Sequence, residues 1–216
     1  MTAAALTEDP HRLGHGPEHA GGANRGSAPQ RIIVGFGFWI FLLSDFVMFS
    51  GFFASYAVLA GATAGGPSGR ELFDLRTVEV ETACLLLSSL SCGLAALAVA
   101  AHRQWWAQAA LCVTGLLGLA FVCLEVREFA ELVARGAGPT HSAFLSAYFS
   151  LVGCHGIHVS IGLLWMGTMM AQLYFKGFTP KMERRFMCFS LFWHALDIIW
   201  IAIFTAVYLF GLAPHG

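Results

Sequence analysis

The chain has 216 residues, 57% of them hydrophobic and only 12% charged, where soluble domains carry roughly 25% charged residues. With a mean hydropathy of +0.67, it belongs among integral membrane proteins. A net charge of −1 and the lack of any basic run leave nothing to neutralise phosphates, which excludes nucleic acid as a partner. Cys84, Cys92, Cys112, Cys123, Cys154 and Cys188 all fall in or beside apolar segments without a C-x-x-C pair, so they read as buried small hydrophobes.

Residues 1–30 are rich in Gly, Pro, Ala and His, lack the hydrophobic core of a signal peptide, and read as a disordered tail. His11, His15 and His19 would share a metal-binding face on a helix, but Pro10, Gly14, Gly16 and Pro17 oppose that helix. The first span, about 32–59, would measure about 42 Å as a helix, so it should tilt or project from a core of about 30 Å. Ser44 and Asp45 are its strongly polar feature, and an intramembrane carboxylate is a functional candidate by default.

A Gly/Pro-rich loop leads to a second span at about 80–101, preceded by Glu79 and by Glu81, which suit a helix N-terminus. Ser88, Ser89, Ser91 and Gly93 give it surfaces for close helix packing. After a short turn at His102-Arg103-Gln104, the third span runs over about 105–132 and ends in an amphipathic stretch. There Glu125, Glu128 and Glu131 share a face, and a solvated helix end accounts for them.

The fourth span covers about 142–174, with His155 and His158 on one stripe and Gly153, Gly156 and Ser160 offering close helix contact. The fifth, about 187–212, places Ser190, His194, Asp197, Thr205 and Tyr208 on one stripe at steps summing threes and fours. An ionisable group at bilayer depth costs about 2.5–3.5 kcal/mol on insertion scales, so this stripe should face protein. The result is an all-α membrane bundle of five transmembrane helices forming one domain over 31–212.

Basic residues set the orientation. With the N-terminus inside, Arg12, Arg25, Arg31, Arg103, Lys176, Lys181, Arg184 and Arg185 are cytoplasmic, against Arg70, Arg76, Arg127 and Arg135 outside. The positive-inside bias therefore gives a cytoplasmic N-terminus and a periplasmic C-terminus.

His-x-x-His at His155 and His158 and His-x-x-Asp at His194 and Asp197 are not the Glu-x-x-His motifs of a carboxylate-bridged di-metal bundle. Haem ligation by two of the histidines remains geometrically open. The alternative is that these side chains hydrogen-bond across helices and fix packing.

Three stretches carry a resemblance: Ser44 to Phe53 (SDFVMFSGFF), Gly153 to Val159 (GCHGIHV) and Phe192 to Trp200 (FWHALDIIW). In this order, each on its own span, they resemble subunit III of the haem-copper terminal oxidases, over about Arg31 to Gly211. The loop Thr63 to Leu75, the run Phe144 to Phe149 and the stretch Phe204 to Leu209 are most similar to the bo-type ubiquinol oxidase branch. Cytochrome c oxidase versions commonly have seven spans, and the five here match the last five.

The resemblance implies a non-redox subunit of a proton-pumping oxidase that oxidises ubiquinol and reduces oxygen to water. It implies haems and copper in the partner catalytic subunit I, further partners in subunit II and a small subunit IV, bound phospholipid, and a bacterial inner membrane. By position, Asp45 with Ser44 beside it matches the family's intramembrane carboxylate. Glu128 and Glu131 match acidic positions at a helix end, and His155, His158, His194 and Asp197 match signature positions. No catalytic residue, metal ligand or cofactor of its own is expected in this chain. The readings set against it are subunit III of a cytochrome c oxidase, a stand-alone proton or solute transporter, and a haem-binding membrane cytochrome.

Overall fold

The structure, a computed structural model, describes residues 30–60 and 75–209. The tail with His11, His15 and His19, the loop 61–74 and the residues from 210 onward lie outside the described residues. Five helices follow one another: α1 (Gln30–Leu59), α2 (Leu75–Ala100), α3 (Gln104–Ala134), α4 (Ala143–Lys176) and α5 (Pro180–Ile203), the last continuing as a π-helical turn over Phe204–Leu209. All five are long and apolar enough to cross a bilayer, and the protein is a multi-pass membrane protein.

The helices outrun the apolar stretches that announce them. Thr179 accepts from the Met182 amide at 3.2 Å, and Pro180 occupies the first turn, so α5 starts well before residue 187 with the polar turn Lys181 to Arg185. Ser142 caps α4 in the same way through the Leu145 amide, at 3.2 Å. At the α2–α3 turn, the His102 amide donates to Val99 and the Arg103 amide to Ala98, the paired bonds of a Schellman closure. It puts His102 in the left-handed region at φ 52°, where glycine is the usual occupant.

Buried positions follow a seven-residue rhythm. On α2 they are Val78, Glu81, Leu85, Ser88, Cys92, Ala95 and Val99, with Ser91 beside them; on α3 they are Ala107, Leu111, Thr114, Gly118, Phe121, Glu125 and Leu132. Such spacing keeps one seam facing a neighbour at shallow crossing angles. α2 packs on α3, α3 on α4, α4 on α5 and α5 back on α2, so four helices close a ring. α1 lies outside it, in the groove between α4 and α5, touching mainly through Leu42, Phe49 and Tyr56. Most of its remaining apolar surface, including Phe36, Trp39, Ile40 and Val47, is exposed.

Candidate functional site

The up-and-down path puts the start of α2, the end of α3, the start of α4 and the π-helical turn at one end of the bundle. Polar side chains form three groups, two of them midway along the bundle and one toward this end.

Midway, α5 is fastened to α2. The Trp193 indole N–H donates to Ser88 at 3.1 Å, and that of Trp200 to Thr82 at 3.0 Å. Between them, Ser89 Oγ lies 2.7 Å from His194 Nδ1, and Asp197, one turn further along α5, has Oδ1 enclosed without a hydrogen-bond partner among the described residues. Asp197 is buried, His194 half-buried and Tyr208 wholly buried, so the stripe on α5 faces protein. The serines of α2 thus make interhelical hydrogen bonds as well as offering small surfaces. Trp193 sits against two glycines: a Cβ on Gly118 of α3 would lie 2.9 Å from its ring, and one on Gly162 of α4 would lie 3.0 Å away.

The second group joins α1 to α4. Asp45, half-buried, lies within electrostatic reach of His158, while Ser44 beside it is exposed and donates to the Phe41 carbonyl at 2.6 Å. His158 Nδ1 lies 2.7 Å from the Cys154 carbonyl of its own helix, and its ring meets Phe49 edge-on at 5.4 Å. His155 is fully buried among Phe49, Phe121 and Trp200, with ring centroids 5.2 to 6.4 Å away. Neither of its nitrogens has a hydrogen-bond partner among the described residues, so the interhelical bond expected of it is not made. Among the described residues, no three His, Cys, Asp or Glu side chains are arranged to hold a metal ion.

The third group is acidic, and it corrects the sequence reading. Glu81 and Glu125 are buried, at 0% and 4% exposure, instead of capping α2 or ending α3 in solvent. α2 begins at Leu75, so Glu81 falls on its second turn; both it and Glu125 lie on the inward seams of their helices. Glu128 is half-buried and accepts from Tyr148 Oη at 3.0 Å, and Tyr148 Oη lies 3.0 Å from that of Tyr208. Glu131 alone of the four is exposed, paired with Arg127 at 2.8 Å and Arg135 at 3.8 Å. Gly156 of α4 abuts the Glu125 carboxylate so closely that a Cβ there would collide with it.

These groups are the polar interior expected where neighbouring helices shield one another from lipid. The family model for cytochrome c oxidase subunit III matches residues 22–212. The chain belongs to that family. Within it, the chain is similar to subunit 3 of the cytochrome bo(3) ubiquinol oxidase of Pseudomonas aeruginosa, 50% identical over 98% of this chain and 99% of that one. It is also 49% identical to the corresponding subunit of Pseudomonas putida over 82% of this chain and 85% of the other. Quinol oxidase subunit 3 of Bacillus subtilis is 43% identical over 82% of this chain and 86% of its own.

The sequence reading of this family member singled out Ser44, Asp45, Glu128, Glu131, His155, His158, His194 and Asp197 and missed Glu81 and Glu125. Their signal was register: Glu81 is seven residues before Ser88, and Glu125 seven after Gly118, both of which face inward.

Proposed function

We propose that the chain is subunit III of a proton-pumping ubiquinol oxidase, a non-redox helical subunit that supports a catalytic subunit carrying haems and copper. The observation that carries this reading is the 50% identity, end to end, to a subunit bearing that name. The polar interior supports it, because its histidines and carboxylates fasten helices or stay enclosed. Subunits I and II and a small subunit IV are the partners, with ubiquinol as substrate of the complex and phospholipid against the bundle. The broad apolar face of α1, with Ser44 exposed upon it, suits a surface that meets another subunit or lipid.

Asp45 with His158 forms the polar pair proposed to serve proton uptake or oxygen access. Glu128 and Glu131 lie toward the end that the proposed orientation turns outward, and His155, His194 and Asp197 serve packing. Lys176, Lys181, Arg184, Arg185 and Arg103 gather at the end that holds the start of α1, against Arg76, Arg127 and Arg135 at the other. That distribution supports an N-terminus in the cytoplasm of a bacterium, a periplasmic C-terminus and residence in the inner membrane.

Purification through a tag on this chain, followed by mass spectrometry and oxygen-consumption assays with ubiquinol and with reduced cytochrome c, tests the proposal. Co-purification of a haem-copper subunit with ubiquinol-driven oxygen uptake is the expected result. Activity with cytochrome c instead, or a stable preparation of the chain alone with transport of its own, would overturn it.

A further inference from the structure

Where the start of α2 meets the end of α3, two buried carboxylates are left without a hydrogen-bonding role. Glu81 reaches inward from α2 with both oxygens fully enclosed and no hydrogen-bond partner among the described residues. Its charge neighbours are Glu128 and Glu125 of α3. Glu125 Oε2 is likewise enclosed and unpartnered. An unpaired carboxylate in such surroundings is costly, and two beside a third of the same sign are more so. The natural remedy is a proton.

Glu128 differs from the other two because a hydroxyl donates to it. Tyr148 gives its proton to Glu128, so its remaining lone pairs accept from Tyr208, and the two phenols point a hydrogen-bonded chain toward one carboxylate. Tyr208 is carried by the π-helical turn and lies within electrostatic reach of all three glutamates. Inserted π turns recur at functional sites, since they re-aim a side chain that regular winding would point elsewhere. Glu128 also lines a cavity of about 140 Å³ together with Thr77, Arg127, Glu131 and Arg135, which opens at this end of the bundle.

We propose that Glu81, Glu125 and Glu128, with the Tyr148–Tyr208 pair bonded to Glu128, form a proton-binding site that exchanges with water through the cavity beside Glu128. Glu128 carries the charge at the mouth, and Glu81 and Glu125 hold protons within. Each uptake transfers a proton from hydronium to a carboxylate oxygen and returns a water molecule; release is the reverse, and no oxidant or reductant takes part. The other ionisable groups around the site are Cys84 on α2, the exposed Arg127, Glu131 and Arg135 on α3, His155 on α4, and Tyr56 of α1, whose hydroxyl donates to the Val207 carbonyl at 3.5 Å. Arg76 stands at the start of α2, next to Thr77. The site rests on burial and geometry, and does not depend on the electron donor of the complex.

Infrared spectroscopy of the complex purified through this chain, near neutral pH and in normal and heavy water, tests it. The stretching bands of protonated carboxyl groups should shift in heavy water. One band should be lost in Glu81→Gln and one in Glu125→Gln, with Glu131→Gln unchanged. Tyr208→Phe should displace the bands without removing them. The proposal is overturned if the bands are unaltered in both glutamine variants or fail to shift in heavy water. It is equally overturned if they appear only after chelation, which would assign the site to a metal cation. Should either variant not assemble, the complex depleted of this chain decides: bands unchanged without it overturn the proposal, and bands lost with it support it.

Discussion

Gly118→Ala should loosen the bundle by a calculable amount. The new methyl would stand 2.9 and 3.0 Å from two carbons of the Trp193 ring and 3.1 Å from a Leu163 methyl, against about 3.5–4.0 Å for carbon atoms in comfortable contact. The indole cannot retreat across the bundle, because a Cβ on Gly162 would already lie 3.0 Å from its other edge. It must instead slide by about half an ångström or more, and its 3.1 Å bond to Ser88 then lengthens past useful range. Overpacking costs about 1–3 kcal/mol and the lost hydrogen bond about 1 kcal/mol. The sum, about 2–4 kcal/mol, exceeds the helix-propensity gain of about 1 kcal/mol on replacing glycine. The measurement is the unfolding equilibrium of the chain in mixed detergent micelles, for Gly118→Ala, Trp193→Leu and the double variant. With the ring gone, Gly118→Ala should become neutral or slightly stabilising, giving a coupling of about 2 kcal/mol or more. An equal cost in both backgrounds would refute the reasoning.

Other consequences follow from the same contacts. Trp200→Phe removes the bond to Thr82 and should cost about 1 kcal/mol in the same equilibrium, with no further loss when Thr82→Val is added. Ser89→Ala takes the partner from His194 Nδ1. It should destabilise by about 1–3 kcal/mol and act non-additively with His194→Ala. Gly156→Ala drives a methyl into the Glu125 carboxylate. Its cost of about 1–3 kcal/mol should vanish when Glu125→Ser removes the colliding atoms, and a persistent cost would place the collision elsewhere. Asp45→Asn keeps size and hydrogen bonding, so assembly of the oxidase should be unaffected. Proton pumping and turnover indistinguishable from the parent over prolonged activity would remove the functional claim for Asp45.

Span number and helical class were legible because hydrophobic runs of bilayer length leave few other folds open. The stripe through His194 and Asp197 was legible for a related reason: polar residues that recur at threes and fours must turn toward something other than lipid. Glu81 was not legible, because an acid near the start of an apolar run has two readings that local sequence cannot separate. It helps the helix N-terminus if the helix begins at the run, and it is buried if the helix begins a turn and a half earlier, at Leu75. Glu125, Glu128 and Glu131 posed the same difficulty. Their spacing establishes a shared face, but its inner end is enclosed and its outer end wet, a gradient along one stripe that periodicity does not contain. The bonds from Trp193 and Trp200 to Ser88 and Thr82 depend on which helices are neighbours, which the order of spans leaves open.

The place of α1 bears on how the chain is made. It leaves the ribosome before the other four, yet the helices it rests on are α4 and α5, and the Tyr56 hydroxyl finds its acceptor at Val207, 151 positions later. Its own length and apolar surface are enough for it to cross the bilayer before those neighbours have been made. Translation runs outward-in: the peripheral helix waits in lipid, and its berth is built last, when the fifth helix closes against the second.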